Sequence, residues 1–289
     1  SWRVWLMAAR PKTLGAAIAP VLLGTAMAAE AGAFHGPAAL CALLGAILIQ
    51  VGVNYHNDYA DFEKGADTED RLGPTRVTQA GFVAPSSMRR ATFVVFALAV
   101  VAGSYLIVRG GWPVLLIGVL SIASAVAYTA GPYSLADTGT ADGFVLVFFG
   151  PVAVGGTYYV QALGITPPVI VAGLGPGLLS VGILLVNNIR DIEGDRASDK
   201  KTLPVRLGRA AGNALYDACL VGAAAVPAGL LGWGASPWVL LATAVMALGI
   251  PLARTLHTSD APDVLNRLLA RTGQLLVLYS IAFAIGWNL

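Results

Sequence analysis

Long apolar runs separated by short polar connections dominate the sequence. The hydrocarbon core of a bilayer is about 30 Å thick, so a helix needs about 20 mostly apolar residues to cross it. Runs of this size occur nine times in the 289 residues. The predicted spans are centred on residues 13–31, 38–57, 91–108, 113–129, 143–160, 169–189, 212–231, 237–253 and 268–287. The chain is therefore predicted to be an all-α integral membrane protein, a bundle of nine transmembrane helices in a single domain.

The composition supports a membrane protein and argues against other classes. Hydrophobic residues make up 56% of the chain and charged residues 12%, and the mean hydropathy of +0.72 is too high for a soluble domain. A net charge of +2 is too small to predict nucleic-acid binding. Cys41 and Cys219 lie in separate apolar runs, so neither a disulfide nor a zinc site is predicted. The expected surroundings are the lipid bilayer.

The positions of Lys and Arg predict the orientation of the chain. Of the 18 basic residues, Arg109 alone falls in an odd-numbered connection between predicted spans. By the positive-inside rule the N-terminus is cytoplasmic, and nine spans then place the C-terminus outside. Most acidic residues lie in the same connections as the basic residues, although the positive-inside rule requires only the basic ones. This indicates a polar cytoplasmic cap over an apolar chamber.

Two stretches of the sequence share an order of features. In each, an apolar run leads into Asn, then spaced acids, then bases and finally P-x-R, at residues 54–76 and again at 187–206. The repetition predicts two pseudo-repeat halves, roughly residues 1–135 and 136–289, that contribute to one site.

The spacing of the acids predicts carboxylates that share a helix face. Residues three or four apart lie about 5–6 Å apart at Cβ, which pairs Asp58 with Asp61 and aligns Asp191, Asp195 and Asp199. Oxygen ligands without His or Cys suit Mg²⁺, which completes its shell with phosphate and water.

Other polar residues near the acids extend this hypothesis. Asn57 and Asn188 add neutral oxygens, and Lys12, Arg71, Arg76 and Lys200 are placed to hold phosphate charge. The alternative is that both stretches are hydrated loops with ordinary salt bridges. Ionisable residues at the mouths of membrane helices are costly enough to favour a functional site.

At these residues the chain resembles the UbiA superfamily of intramembrane prenyltransferases. Its signature is N-D-x-x-D after the second helix and D-x-x-x-D after the sixth, here Asn57–Asp61 and Asp191–Asp195. Further segments resemble the branch that prenylates 1,4-dihydroxy-2-naphthoate in menaquinone synthesis. They include R-P-K-T-L at 10–14, D-T-E-D-R-L-G-P-T-R at 67–76 and Y-T-A-G-P-Y at 128–133.

The resemblance implies Mg²⁺-dependent transfer of a prenyl group from polyprenyl diphosphate to 1,4-dihydroxy-2-naphthoate, with loss of carbon dioxide. The expected catalytic residues are Asp58, Asp61, Asp191 and Asp195. The expected metal ligands are Asn57, Asp58, Asp61, Asp67, Asp191, Asp195 and Asp199. The expected substrate-binding residues are Lys12, Asn54, Asn57, Arg71, Arg76, Tyr128, Asn188 and Lys200.

Two alternatives stay open from the sequence. The acceptor is not visible in the residues themselves, so a prenyltransferase for another aromatic acid, such as 4-hydroxybenzoate, fits the same motifs. A cation-coupled transporter also uses carboxylates at the ends of half-helices. Against the transporter, the acids cluster at one predicted membrane face, and bases suited to phosphate follow them.

Overall fold

The predicted apolar spans fold as helices. The structure is a computed structural model and describes residues 1–63, 65, 72–73, 75–129, 135 and 139–289. In this part of the chain, eight helical segments are long and apolar enough to cross a membrane, and a ninth, Trp112–Tyr128, is apolar but shorter. These nine coincide with the nine predicted spans, and the described residues contain no β-strand. The chain is a multi-pass membrane protein.

The helices are numbered in chain order. They are α1 (Trp2–Ala9), α2 (Leu14–Glu30), α3 (Gly36–Glu63), α4 (Pro85–Gly110), α5 (Trp112–Thr129), α6 (Ala141–Val147), α7 (Ala153–Ala162), α8 (Pro167–Arg190), α9 (Ile192–Ala197), α10 (Leu203–Leu207), α11 (Arg209–Leu230), α12 (Leu240–Val245), α13 (Gly249–Thr258) and α14 (Pro262–Trp287). Several spans combine two of them: α6 and α7 form the span Ala141–Ala162, and α12 and α13 form Pro237–Thr258.

The helix α8 lies at the centre of the bundle. It packs against α2, α6, α11 and α14, and 67% of its apolar stretch is buried, against 11% for α3 and 17% for α4. The main core, which includes Leu185, Tyr216, Tyr279 and Phe283, draws on α2, α7, α8 and α11 to α14. The helices α3, α4 and α5 contribute little to this core. Their inner surfaces line a chamber instead.

The span formed by α6 and α7 is kinked at Pro151. Proline lacks the N–H of the helical ladder, and its ring clashes with the preceding turn. A π-helical turn, Phe148–Val152, separates α6 from α7, and Gly150 departs from helical geometry (φ −112°, ψ −112°). A Cβ on Gly150 would lie 2.7 Å from the carbonyl oxygen of Gly173. The kink therefore seats this span directly against the backbone of α8.

The helix α3 extends beyond its predicted end. The prediction stopped near residue 57, but the helix continues to Glu63, and Gly65 follows with a left-handed backbone (φ 64°). The predicted end was placed where the hydropathy falls. However, none of the residues between Asn57 and Glu63 is a proline or glycine that would break a helix. The first acidic motif thus lies on the last two turns of α3. We call the side of the bundle where α3 and α8 end the acidic end.

Candidate functional site

An apolar chamber of about 530 Å³ lies between α2, α3, α4, α5, α6 and α7. Its lining on α3 runs from Ala42 to Asn57 along one helix face, which at 1.5 Å per residue is a length of about 22 Å. Most lining side chains are Ala, Val, Ile, Leu, Phe or Gly, and Asn54, Asn57 and Tyr128 line the chamber where it reaches the acidic end. The chamber is an elongated apolar slot with one polar mouth.

Three predicted site residues stand at that mouth. Asn54, Asn57 and Tyr128 all line the chamber. The Asn54 amide nitrogen donates to the Ala9 carbonyl oxygen at 2.8 Å and to Thr13 Oγ1 at 3.0 Å. Asn54 therefore also fixes the turn Pro11–Thr13, which carries the exposed Lys12, beside the mouth.

Asp61 lies one helical turn beyond Asn57 and shares its face of α3. Its side chain is 13% exposed and forms an ion pair with Arg76, whose own side chain is 5% exposed. Because the pair is buried, replacing one partner is strongly destabilising: the charge of the other partner then stays buried without compensation. The structure thus brings together two predicted site residues at the mouth of the chamber.

Asp58 has a different role from the predicted one. It is 1% exposed, and its two carboxylate oxygens accept the backbone N–H groups of Val77 at 3.0 Å and Thr78 at 2.9 Å. Around the helix axis Asp58 lies about 100° from Asn57 and about 60° from Asp61, and it does not line the chamber. The Asp58 carboxylate anchors the loop after α3, and this arrangement argues against its predicted role as metal ligand and catalytic residue.

We expect Asp58→Ala to destabilise the protein without weakening its affinity for Mg²⁺. Two buried N–H groups would lose their acceptor, and each unsatisfied group costs about 1–3 kcal/mol. The measurement is thermal unfolding in detergent beside the Mg²⁺ concentration that gives half-maximal activity at a permissive temperature. A variant of wild-type stability, or one with sharply higher Mg²⁺ demand, would contradict the structural role.

The second acidic motif is organised by Arg190, at the C-terminal end of α8. Its side chain is 1% exposed, its Nε donates to Asp191 Oδ1 at 2.7 Å, and its Nη2 also donates to Asn187 Oδ1 at 2.9 Å. Nη1 donates to Asn266 Oδ1 at 2.6 Å on α14. Arg190 thus holds the Asp191 carboxylate, which is 23% exposed, in a fixed orientation.

Asp195 follows one turn later on α9, and its backbone N–H donates to the Asp191 carbonyl at 2.8 Å. Lys200 Nζ lies 3.7 Å from Asp195 Oδ1. Burial, offset in part by Lys200 and reinforced by Asp191, raises the pKa of Asp195 to about 6. Carboxylates crowded in this way are suited to a cation that neutralises them.

Asp199 does not share the face of Asp191 and Asp195, contrary to the spacing argument. The helix α9 ends at Ala197, and Asp199 is exposed with a left-handed backbone (φ 55°). The four-residue step holds only while the helix continues. Asn188 is buried on α8, at 6% exposure. Asp67 and Arg71 lie outside the described residues.

Within the described ranges, no three His, Cys, Asp or Glu side chains converge as a preformed metal cluster. Each of the three remaining acids is instead paired with a base: Asp61 with Arg76, Asp191 with Arg190 and Asp195 with Lys200. Sequence reasoning missed Asn187, Arg190 and Asn266. The string N-N-I-R-D signalled the first two, but no local pattern marks Asn266.

Comparison with known proteins identifies the family. The model of the UbiA prenyltransferase family matches residues 17–282. A 1,4-dihydroxy-2-naphthoate octaprenyltransferase of Haemophilus influenzae is 34% identical, over 98% of this chain and 95% of that protein. An enzyme of the same name from Mycobacterium tuberculosis is 36% identical, over 98% and 96%.

Solved structures agree on the fold. A UbiA homolog from Aeropyrum pernix K1 superposes with a TM-score of 0.68 at 18% identity, over 91% of this chain and 96% of that one. A UbiA homolog from Archaeoglobus fulgidus bound to GPP and Mg²⁺ also gives a TM-score of 0.68, at 13% identity over 98% and 99%. With its family match spanning nearly all nine helical segments, the chain belongs to the UbiA prenyltransferase family.

Proposed function

We propose that this protein transfers a polyprenyl group from polyprenyl diphosphate to 1,4-dihydroxy-2-naphthoate, with loss of carbon dioxide, in menaquinone biosynthesis. The observation that carries the proposal is the apolar slot whose mouth adjoins paired acids and bases. A donor with a hydrocarbon tail and a charged head has the same distribution of polarity. The names of the relatives supply the acceptor.

The polar residues at the acidic end fit Mg²⁺. Asp61, Asp191 and Asp195 offer carboxylate oxygens, and Asn57 offers an amide oxygen, all of the hard type that Mg²⁺ prefers. When bound, Mg²⁺ supplies Lewis acidity toward the diphosphate oxygens of the leaving group. The UbiA homolog from Archaeoglobus fulgidus, bound to GPP and Mg²⁺, supports this assignment.

The ion pairs at the mouth suit a ligand that carries both charge signs. A diphosphate with its counter-cation offers anions to Arg76 and Lys200 and positive charge to their partners, Asp61 and Asp195. Before the ligand binds, the acids and the bases hold each other in place, and the site buries no net charge. Lys12, and Arg71 outside the described residues, are further candidates for phosphate contacts.

The chemistry requires that the donor carbon be shielded from water. As the allylic C–O bond breaks, the diphosphate leaves and carbon C1 becomes electron-poor, so water must be excluded. The apolar walls of the chamber provide this shielding. The ring carbon that bears the carboxylate forms the new C–C bond, and the electron pair of the departing carboxylate restores the aromatic ring.

The acceptor is tested with purified protein, Mg²⁺, one labelled polyprenyl diphosphate and a panel of aromatic acids. We expect prenylation of 1,4-dihydroxy-2-naphthoate, with its labelled carboxylate released as carbon dioxide in equal amount. Faster transfer to 4-hydroxybenzoate would overturn the choice of acceptor but not the prenyl transfer. Transfer to no acceptor, together with cation uptake into proteoliposomes, would favour the transporter.

The chamber should set the length of donor that is accepted. Gly45 lines it about 24 Å along α3 from Asp61, and an added Cβ there meets no atom within 4 Å. We expect Gly45→Leu to slow long donors about tenfold relative to short ones, since overfilling costs about 1–3 kcal/mol. Gly229→Leu, at an open position on α11 outside the chamber, is the matched control. Equal loss for all donor lengths would separate the tail from this slot.

We also propose that the acidic end and the N-terminus are cytoplasmic and the C-terminus outside, on the distribution of basic residues. In a variant without Cys41 and Cys219, a cysteine at Gly164, an exposed position between α7 and α8, should react with an impermeant reagent in intact cells. A cysteine at Ser198, exposed after α9, should react only after lysis. The reverse pattern would overturn the orientation.

A further inference from the structure

Asn266 connects two parts of the acidic end that are far apart in sequence. It lies on the second turn of α14, and its side chain faces both Arg190 and the segment that follows α3. Its amide oxygen accepts from Arg190 Nη1 at 2.6 Å. Its amide nitrogen donates to the backbone carbonyl of Leu72 at 3.0 Å.

The chemistry of an amide explains both contacts. A guanidinium has donors only, and a backbone carbonyl accepts only, so the group between them must accept on one side and donate on the other. Asn provides both functions in one short, planar side chain. A carboxylate would accept from Arg190 but repel the Leu72 carbonyl, and an alanine would leave both unsatisfied.

Each of the two hydrogen bonds of Asn266 leads on to a candidate metal ligand. Arg190 holds Asp191, so one arm of Asn266 ends at the second acidic motif. Leu72 lies four residues before Arg76, the ion-pair partner of Asp61, so the other arm reaches the loop of the first motif. The amide therefore bridges the two halves of the chain at the acidic end of the bundle.

We propose that Asn266 is a positioning residue that sets the spacing between the two acidic motifs, so that both engage the same diphosphate. The proposal rests on the proposed function. Asn266 itself touches neither the donor nor the metal in this account; it acts through Arg190 and through the loop at Leu72. Loss of the bridge should weaken the shared binding of Mg²⁺ and diphosphate more than it affects the acceptor.

The C-terminal end of α14 offers a matched control. Asn288, beyond the opposite end of α14, donates its amide nitrogen to the Ala26 carbonyl at 3.0 Å and to the Ala284 carbonyl at 2.9 Å. It makes the same kind of side-chain to carbonyl contact, at the same distance, far from the acidic motifs. Asn288→Ala thus removes an equivalent tie without touching the proposed bridge.

The experiment compares wild type with Asn266→Ala, Asn266→Asp, Asn266→Gln and Asn288→Ala. Two quantities are measured: the Mg²⁺ concentration for half-maximal prenyl transfer, and the increase in melting temperature caused by Mg²⁺ with geranylgeranyl diphosphate. The second needs no acceptor and no turnover. The KM for the acceptor is measured beside them.

We expect Asn266→Ala to raise the Mg²⁺ requirement at least tenfold and to abolish most of the ligand-induced stabilisation, with the acceptor KM changed less than twofold. Asn266→Asp should be as impaired, because it keeps the contact with Arg190 but loses the donor to Leu72. Asn266→Gln should recover part of the loss, because it keeps both functions. Asn288→Ala should match wild type.

Two results would overturn the proposal. One is an unchanged Mg²⁺ requirement in Asn266→Ala, even if its melting temperature without ligand falls, since that describes a structural contact alone. The other is an equal effect of Asn288→Ala. If wild type transfers no prenyl group, the proposed function fails, and the role of Asn266 is then decided by the ligand-induced stabilisation alone. If wild type also shows no such stabilisation, the proposed role of Asn266 is overturned as well.

Discussion

Asp61→Ala and Asp191→Ala are each expected to lower the initial rate of prenyl transfer by about 10²-fold or more. Each removes a carboxylate from one of the two groups that together orient and neutralise the departing diphosphate. Because groups that act as a unit are not additive, the double variant should be little slower than either single one. The measurement is the initial rate at saturating Mg²⁺ for all four proteins.

Two further variants separate chemistry from stability. Asp61→Asn and Asp191→Asn preserve volume and a neutral oxygen beside Arg76 and Arg190, so they limit the damage of an unpaired buried charge. Glu193→Ala is the matched control, because Glu193 lies between Asp191 and Asp195 but is 84% exposed and paired with Arg196. An exposed pair contributes about 0–1 kcal/mol. Near-wild-type rates at Asp61 or Asp191, or strictly additive losses, would contradict a shared ligand.

Removal of divalent metal is expected to abolish turnover. Without Mg²⁺ the site presents three carboxylates toward a diphosphate. Their three paired bases do not neutralise the charge of the carboxylates and of the diphosphate together, so the two sets of anions repel each other. The measurement is prenyl transfer in excess EDTA, followed by restoration with Mg²⁺. EDTA already saturated with Mg²⁺ controls for effects of the chelator on the detergent. Full turnover in free EDTA would remove the metal from the reaction.

The sequence predicts the nine spans well because a membrane helix is specified by the composition of its own residues. An apolar run of about 20 residues needs no information from elsewhere in the chain. Proline alone does not locate the kink at Pro151, because α2 and α8 continue through Pro20 and Pro176. The longer course of α3 was missed because hydropathy locates the edge of the bilayer, whereas the helix continues to Glu63.

The roles of individual acids are less predictable. Asp58 and Asp61 are both acidic and three residues apart, but Asp58 accepts from the backbone of Val77 and Thr78, whereas Asp61 pairs with the side chain of Arg76. That assignment depends on packing between distant segments, which spacing cannot reveal. Asp199 was misplaced because its helix stops two residues earlier. Asn266 contacts a residue 194 positions away, so no local pattern marks it.

The arrangement of the acids also bears on the transporter alternative. Asp61 and Asp191 lie at the ends of long helices, at the acidic end of the bundle, and each is held by an arginine. A coupling-ion site of a secondary transporter lies near the bilayer midplane, at broken helices. Among the described helices that line the chamber, the span broken at Phe148–Val152 bears no acid within its π-helical turn. The described geometry therefore favours prenyl transfer.

A structure determined with Mg²⁺ and a non-cleavable prenyl thiodiphosphate tests whether both acidic motifs hold one diphosphate. We expect metal density in contact with Asp61 and with Asp191 or Asp195, the diphosphate between them, and the tail along α3 from Asn57 toward Ala42. Asp58 should stay bound to Val77 and Thr78. A diphosphate held by one motif alone, or a tail outside the chamber, would show that the two motifs do not share the donor in this way.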